Sequence, residues 1–201
     1  MPDHPSRPPR RRLAPAWLLV LLLAAAPLSG PARAADLVVR PEGWAEQDGQ
    51  RYACVLGRSG VFRDKREGDG ATPAGAWPVR RIWHRPDRQP APVTAGLPTR
   101  AIAPDDGWCD EPGHPEYNRP VKLPFLASHE RMWRADHLYD LVVELGYNDD
   151  PVLPGRGSAI FLHVARPDRG PTAGCVAFAL EDLWAIVRRL GPGDRVRVLE
   201  P

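Results

Sequence analysis

Short apolar stretches separated by turn residues dominate the chain from about residue 35 onward. Each is four to seven residues long, rich in β-branched or aromatic side chains, and bounded by Pro, Gly, Asp or Asn, which is typical of β-strands. The predicted strands are Leu37–Arg40, Tyr52–Leu56, Trp77–Trp83, Leu141–Leu145, Ala159–Val164 and Arg195–Leu199. The pattern predicts a mostly β fold.

One segment near the C-terminus has helical periodicity instead. Its apolar residues recur every three or four positions, at Leu180, Leu183, Trp184, Val187 and Leu190, and Gly191-Pro192-Gly193 follows as a stop signal. A second, shorter helix is predicted over Glu130–Ala135. The Pro-, Gly- and Asp-rich stretch Arg85–Leu126 is predicted to be a long loop, and loops of that length are usually functional or disordered.

The N-terminus has the three regions of a secretory signal peptide. Basic residues between Arg7 and Arg12 precede the apolar stretch Leu13–Leu28, and Ala32-Arg33-Ala34 offers small residues for cleavage. The uninterrupted apolar part, Trp17–Ala26, is about half of the ~20 residues that a membrane span needs. We therefore expect residues 1–34 to be a signal peptide and residues 35–201 to be one domain, exported to the periplasm and free of the membrane.

Removal of the leader changes the sign of the net charge. The leader carries five of the 27 basic residues and one of the 25 acidic ones, which leaves 22 against 24. A domain without a basic excess lacks the electrostatic attraction that binds nucleic acid or an anionic membrane. We expect neither as a partner and expect a monomer.

The exported domain has an odd number of cysteines. In an oxidising compartment, the simplest arrangement pairs Cys54 with Cys109 and leaves Cys175 free, although two buried, unpaired thiols are the alternative. A free thiol in an exported protein would be a liability without a function. This consideration singles out Cys175.

Cys175 follows a histidine in a pattern that suits covalent catalysis. The apolar run Ile160-Phe161-Leu162 ends in His163, and a small-residue turn twelve residues later delivers Cys175. An imidazole can remove the proton from a thiol, and the thiolate attacks carbonyl carbons. Papain-like peptidases place the cysteine first, so the order of the two residues disfavours that class.

The turn before Cys175 also offers a site for a developing oxyanion. The amides of Ala173, Gly174 and Cys175 are the predicted donors, since Gly174 lets the main chain approach closely. Metal chemistry has little support, because Trp133 stands where a His129-Glu130 zinc motif would need its second histidine. No metal and no cofactor are expected.

These residues resemble a known family. The segments Ala159-Ile160-Phe161-Leu162-His163 and Thr172-Ala173-Gly174-Cys175-Val176 resemble the signature of the YkuD-type L,D-transpeptidases, and Gly68–Gly75 resembles their Gly-rich Thr-Pro-x-Gly segment. The resemblance covers most of residues 37–199. It implies a β-sandwich-like domain of two packed sheets, peptidoglycan stem peptides as substrate, and a backbone carbonyl of the cysteine turn that orients His163. Asp168 is the alternative orienting group.

Two positions depart from the family pattern. Ala173 stands where many members have His, and Ala177 stands where many have a substrate-holding Arg or Asn. Substrate contacts are therefore expected from the middle of the chain. The predicted substrate-binding residues are Glu130, Arg134, Tyr139, Asn148 and Thr172, with Asp149 as an alternative partner for a substrate ammonium.

The sequence thus predicts an exported L,D-transpeptidase that cross-links stem peptides through a Cys175 thioester. The cross-link formed is of the 3-3 type or, given Ala177, one that uses the first stem residue as donor. The alternatives are an L,D-carboxypeptidase or amidase that uses water as acceptor, and a non-catalytic wall-binding module.

Overall fold

The computed structural model describes residues 36–201, and the predicted signal peptide, residues 1–34, lies outside the described residues. No helix within the described range is long and apolar enough to cross a membrane. Strand is the dominant secondary structure, so the predicted mostly β fold is confirmed.

The elements follow one another in chain order as short strands with one helix near the end. They are β1 (Leu37–Arg40), β2 (Trp44–Gln47), β3 (Gln50–Val55), β4 (Val61–Phe62), β5 (Thr72–Pro73), β6 (Gly75–His84), β7 (Thr99–Ala101), β8 (Asp106–Cys109), β9 (Pro120–Lys122), β10 (His129–Arg131), β11 (Leu141–Leu145), β12 (Phe161–Val164), β13 (Val176–Phe178), α1 (Leu180–Val187) and β14 (Arg195–Val198).

Two sheets share the long strands β3 and β6. The first has the order β6-β14-β1-β2-β3, and the second has the order β7-β6-β11-β12-β13-β3. Joined at the shared strands, they form one continuous nine-stranded sheet. Strand β6 can belong to both because its first half pairs with β14 and its second half pairs with β11. The shared strands join the two sheets around one hydrophobic core.

Alternation along the strands separates this core from the opposite face of the second sheet. Leu162 and Val164 of β12, and Val176 and Phe178 of β13, point into the main core. Helix α1 packs there through its buried residues, which are Leu183, Ile186 and Val187. Because side chains alternate with a period of two, the residues between them point to the other face.

A small third sheet is associated with that other face. It has the order β10-β8-β9, and the residues that pack around it form a second apolar cluster. This cluster is Trp83, Ile102, Trp108, Met132, Tyr139, Val142, Phe161 and Cys175. The candidate nucleophile therefore belongs to the second cluster and not to the main core.

Two local predictions are wrong. The stretch Arg85–Leu126 is not a structureless loop, since it contains β7, β8 and β9. The segment Glu130–Ala135 is not a helix, because Glu130 pairs with Trp108 in the small sheet and the chain then bends. In both segments, pairing with distant residues overrides the local signal.

All three cysteines are free in the structure, which corresponds to the alternative of two buried, unpaired thiols at Cys54 and Cys109 and not to their pairing. Cys54 lies on β3 in the main core, whereas Cys109 lies on β8 in the small sheet. Two cysteines on separate sheets cannot form a bridge unless their Cα atoms approach within about 7 Å.

Candidate active site

A cavity of about 400 Å³ contains both His163 and Cys175. Its wall comes from four parts of the chain that are distant in sequence. The lining residues are Lys65, Glu67, Asp110, Glu130, Arg134, Leu138, Tyr139, Ser158, Ala159, Ile160, His163, Arg166, Gly170, Thr172, Ala173, Cys175 and Ala177.

The parallel pairing of β12 with β13 brings the two candidate catalytic residues together. His163 lies opposite Ala177 in the register, and Cys175 directly precedes β13. Cys175, Ala177 and His163 occupy positions that point away from the main core. Alternation along two neighbouring strands therefore places the thiol, the imidazole and a small side chain in one cavity.

The thiol of Cys175 is held by two backbone groups. Its Sγ donates to the carbonyl of Ala159 at 3.2 Å and accepts from the amide of Phe161 at 3.4 Å. Burial, reinforced by the charge of Glu130, raises the pKa of Cys175 to about 12. The raised pKa favours the neutral thiol at rest.

The imidazole of His163 is also neutral at rest. Its Nδ1 lies 2.8 Å from the carbonyl of Val164, which can only accept, so Nδ1 carries the proton and Nε2 has a free lone pair. Burial lowers the pKa of His163 to about 4. Within residues 36–201, no hydrogen bond joins Sγ to the imidazole. The resting site is therefore not an ion pair.

A backbone carbonyl orients the imidazole, as the resemblance implies, but that carbonyl belongs to Val164 on β12 and not to the cysteine turn. Asp168 does not take this role, because it is exposed and accepts a hydrogen bond from the amide of Gly170. The ring of Tyr139 packs edge-on against the imidazole, with ring centroids 5.5 Å apart.

Four of the five predicted substrate-binding residues line the cavity: Glu130, Arg134, Tyr139 and Thr172. Tyr139 donates to Glu130 at 2.7 Å, and Arg134 makes a bidentate pair with Asp136 at 2.8 and 2.7 Å. Thr172 donates to the carbonyl of Cys175 at 2.7 Å, so this side chain braces the turn.

Asn148, the fifth, does not line the cavity. Its side chain hydrogen-bonds Leu153 and Gly157 and so holds the following loop together. Asp149 is likewise outside the cavity and pairs with Arg80 at 2.7 Å.

The predicted oxyanion donors are not equivalent. The amide of Gly174 already donates to Thr172 Oγ1 at 3.1 Å, whereas Ala173 is exposed and lines the cavity. Gly174 has a φ of +143°, and a Cβ at this position would lie 2.8 Å from the carbonyl of Ala71. Only glycine allows this close approach without displacing the backbone.

Sequence reasoning missed several residues of the cavity. The most informative are Lys65, Glu67 and Asp110, which add a cation and two anions to the site. Glu67 accepts from Tyr117 at 2.5 Å and from Ser158 at 2.7 Å. Glu67 directly precedes the Gly-rich segment Gly68–Gly75, which was the available signal, but its distance from Cys175 in the sequence concealed the contact.

Asn118 was also missed. It holds the segment that contains Ala159, whose carbonyl accepts the hydrogen bond from the Cys175 thiol. This buried side chain accepts from Trp108 Nε1 and from the amide of Ala159, both at 3.0 Å, and donates to the carbonyls of Tyr147 and Asn148. All four hydrogen-bonding sites of the amide are therefore used. Asn118 fixes Ala159, which has a φ of +52°.

No group of three or more His, Cys, Asp or Glu side chains within residues 36–201 has the arrangement of a metal site. The chemistry available to the described cavity is that of a thiol, an imidazole, carboxylates and cations.

Comparison with known proteins decides the family. The model of the YkuD family, the L,D-transpeptidase catalytic domain, matches residues 38–198. The chain belongs to the YkuD family. The resemblance seen in the sequence is thus confirmed, and the YkuD match includes both His163 and Cys175.

Among solved structures, the YkuD domain is similar to the helical cell shape determining protein Pgp2 from Campylobacter jejuni. The identity is 15%, the TM-score is 0.40, and the likeness covers 84% of this chain and 49% of that one. The chain therefore spans about half the length of this neighbour. No curated protein matches the chain.

The hydrogen bonds of Asn118 should contribute measurably to the stability of the folded domain. Replacing Asn118 with Ala leaves the amide of Ala159 and the indole N–H of Trp108 without their buried acceptor, and each such group costs about 1–3 kcal/mol. We expect the free energy of unfolding, measured in urea, to fall by more than about 2 kcal/mol. A change below about 0.5 kcal/mol would show that Asn118 does not hold this segment.

Burial of the neutral His163 imidazole makes the stability of the folded domain depend on pH. The pKa of His163 is lowered from 6.5 to about 4, so between these values the unfolded chain binds a proton that the folded chain does not. Stability must fall as the pH falls through this window, by roughly 3 kcal/mol from this group. We expect His163→Asn, which keeps a donor for Val164, to lack this component.

The measurement is the free energy of unfolding from pH 7 to pH 4 for the wild type and the variant. Other titrating groups are common to both proteins, so the difference between the two curves isolates His163. Parallel curves would contradict the burial of a neutral imidazole.

Proposed function

We propose that the YkuD domain catalyses acyl transfer on peptidoglycan stem peptides, with Cys175 as nucleophile and His163 as general base and acid. The observation that carries the proposal is the presence of both side chains, with a free Nε2 lone pair on His163, in one charged cavity. The family match makes peptidoglycan the expected substrate.

The first chemical step needs a base, because the thiol does not ionise unaided. With a pKa of about 12, forming the thiolate at pH 7 costs about 7 kcal/mol. His163 Nε2 accepts the proton while sulfur attacks, once the thiol leaves the carbonyl of Ala159. Neither group then carries its charge alone in the buried site.

The acyl transfer proceeds in two stages, acylation of Cys175 and transfer of the acyl group to an acceptor amine. In the first, a bond forms between Sγ and the donor carbonyl carbon, the amide C–N bond breaks, and His163 passes its proton to the leaving amine. In the second, an acceptor amine attacks the thioester, its proton passes to His163 and then to sulfur, and the new amide is released. The enzyme returns to its neutral thiol.

The charges of the cavity suit such a peptide. Lys65, Arg134 and Arg166 offer positive charge, and Glu67, Asp110 and Glu130 offer negative charge. Stem peptides carry carboxylates together with the side-chain amine of a diamino acid, and each has a complementary partner in the lining. Burial raises the pKa of Glu130, and a substrate ammonium beside it would favour the ionised form.

Ala177 supports an altered donor position. It lies opposite His163 in the register and lines the cavity, so a larger residue here would occupy space beside the imidazole. The small side chain leaves this space to the substrate. We propose a 3-3 cross-link or one that uses the first residue of the stem as donor, formed in the periplasm after removal of residues 1–34.

The test is mass spectrometry of purified muropeptides after incubation with the mature protein. We expect cross-linked dimers, whose fragmentation identifies the donor and acceptor residues, and none with Cys175→Ala. Loss of the thiol removes the thioester, so we expect a rate reduced by at least about 10³-fold.

Other products would point to the alternatives. Shortened monomers without dimers would show that water is the acceptor, as in a carboxypeptidase or amidase. Binding without any change in the muropeptides would contradict an enzymatic role and favour a wall-binding module. Asp168→Asn, a loop residue that does not line the cavity, is the matched control and should retain wild-type activity.

A further inference from the structure

Lys65 is a buried cation in a chain that otherwise relies on arginine. Only two of the 27 basic residues are lysines. Lys122 is half-exposed and pairs with Asp105 and Asp106, but the side chain of Lys65 is only 3% exposed. Burying an ammonium is costly unless the surroundings compensate it, so its position calls for an explanation.

The ammonium of Lys65 lies beside the turn that carries the nucleophile. Its Nζ is 3.4 Å from the point that a Cβ on Gly174 would occupy, and Lys65 lines the same cavity as Cys175. A lysine ammonium is a compact point charge, whereas a guanidinium is larger and planar. A lysine therefore fits behind a close-packed glycine turn.

The protein partners of Lys65 do not use its full capacity. Nζ donates to Asp69 at 2.8 Å and to the carbonyl of Arg66 at 3.3 Å. An ammonium has three donors, and within residues 36–201 no third acceptor is bonded to it. One N–H is therefore available to the cavity or to a group bound there.

Asp69 is fixed as the counter-charge by the backbone. Its carboxylate also accepts from the amides of Arg66 at 2.7 Å and Ala71 at 2.8 Å. Although burial alone would raise it, these hydrogen bonds and the one from Lys65 lower the pKa of Asp69. The loop between β4 and β5 thus holds the ammonium in place.

We propose that Lys65 is the cation that stabilises negative charge at Cys175, first on the sulfur and then on the oxyanion of the tetrahedral intermediate. Coulomb attraction is strong between charges that are shielded from bulk water, as the buried Lys65 and Cys175 are, and a fixed charge needs no reorganisation during the reaction. This role rests on the proposed function only in that Cys175 is the nucleophile.

The electrostatic balance at the thiol is consistent with this role. Burial and Glu130 raise the pKa of Cys175, whereas the amide of Phe161 and the charge of Lys65 lower it. The charge of Lys65 thus opposes the effect of Glu130 at the thiol, and its removal would leave the thiol harder to ionise.

The test measures the rate at which iodoacetamide alkylates Cys175 between pH 7 and pH 10, with the modified peptide assigned by mass spectrometry. The decisive variant is Lys65→Gln, which still offers an N–H donor toward Asp69, on a side chain one atom shorter, but has no charge. We expect alkylation to slow about threefold or more for each unit by which the thiol pKa rises. The reason is that the fraction of Cys175 present as thiolate falls more than the nucleophilicity of the thiolate increases.

Two further variants complete the comparison. Lys65→Met removes both the charge and the donor and should slow alkylation at least as much as Lys65→Gln, and Lys122→Met, which removes the exposed lysine, should leave the rate unchanged. An unaltered rate in Lys65→Gln, or equal slowing in Lys65→Gln and Lys122→Met, would overturn the proposal. Should Lys65→Gln fail to fold, Lys65→Met provides the same comparison.

Alkylation requires no peptidoglycan, so its result is independent of the muropeptide assay. A slowed Lys65→Gln in a protein that forms no cross-links would support the role of Lys65 and contradict only the proposed substrate. Cross-linking by the wild-type protein, together with an unchanged alkylation rate in Lys65→Gln, would support the proposed substrate and contradict the role of Lys65.

Discussion

The parallel pairing of β12 with β13 is the constraint on which the site depends. Parallel neighbours begin at the same end of a sheet, so the chain must return to that end before it can pair again. Here the return takes the short segment from Ala165 to Cys175. It ends in a turn that passes so close to Ala71 that only Gly174 fits. The twelve-residue spacing between His163 and Cys175 follows from this return.

The same pairing explains why the candidate catalytic groups, Cys175 and His163, are buried and neutral. One face of β12 and β13 fills the main core, and the other lies in the second apolar cluster with Phe161 and Trp108. Burial raises the pKa of Cys175 and lowers that of His163, so charge is unfavourable on either group. A site of this kind must supply compensating charge from elsewhere, and Lys65 is placed to do so.

The sequence predicted the parts of this arrangement that depend on local pattern. The strands around His163, the helix α1 and the glycine turn have strong local signals, and the family motif joined them. The small sheet was missed because β8, β9 and β10 are short and lie among prolines and glycines. Their stability comes from mutual pairing and from apolar residues such as Trp108 and Met132.

Contacts between residues distant in sequence also determine the cavity wall and the state of the cysteines. Lys65 and Asn118 reach the site through contacts across the fold, and no periodicity records such contacts. Counting cysteines suggested a bridge between Cys54 and Cys109, but the sheets keep both thiols apart and free.

In the proposed mechanism Cys175 forms a thioester with a stem peptide, and the mass of the intact protein reports this adduct. The mature protein would be mixed with a donor stem peptide in the absence of any acceptor amine, quenched in acid and measured at once. The thioester mechanism predicts a mass increase equal to the acyl fragment, located on Cys175 and absent from Cys175→Ala. An adduct on another residue, or product formation by Cys175→Ala, would contradict it.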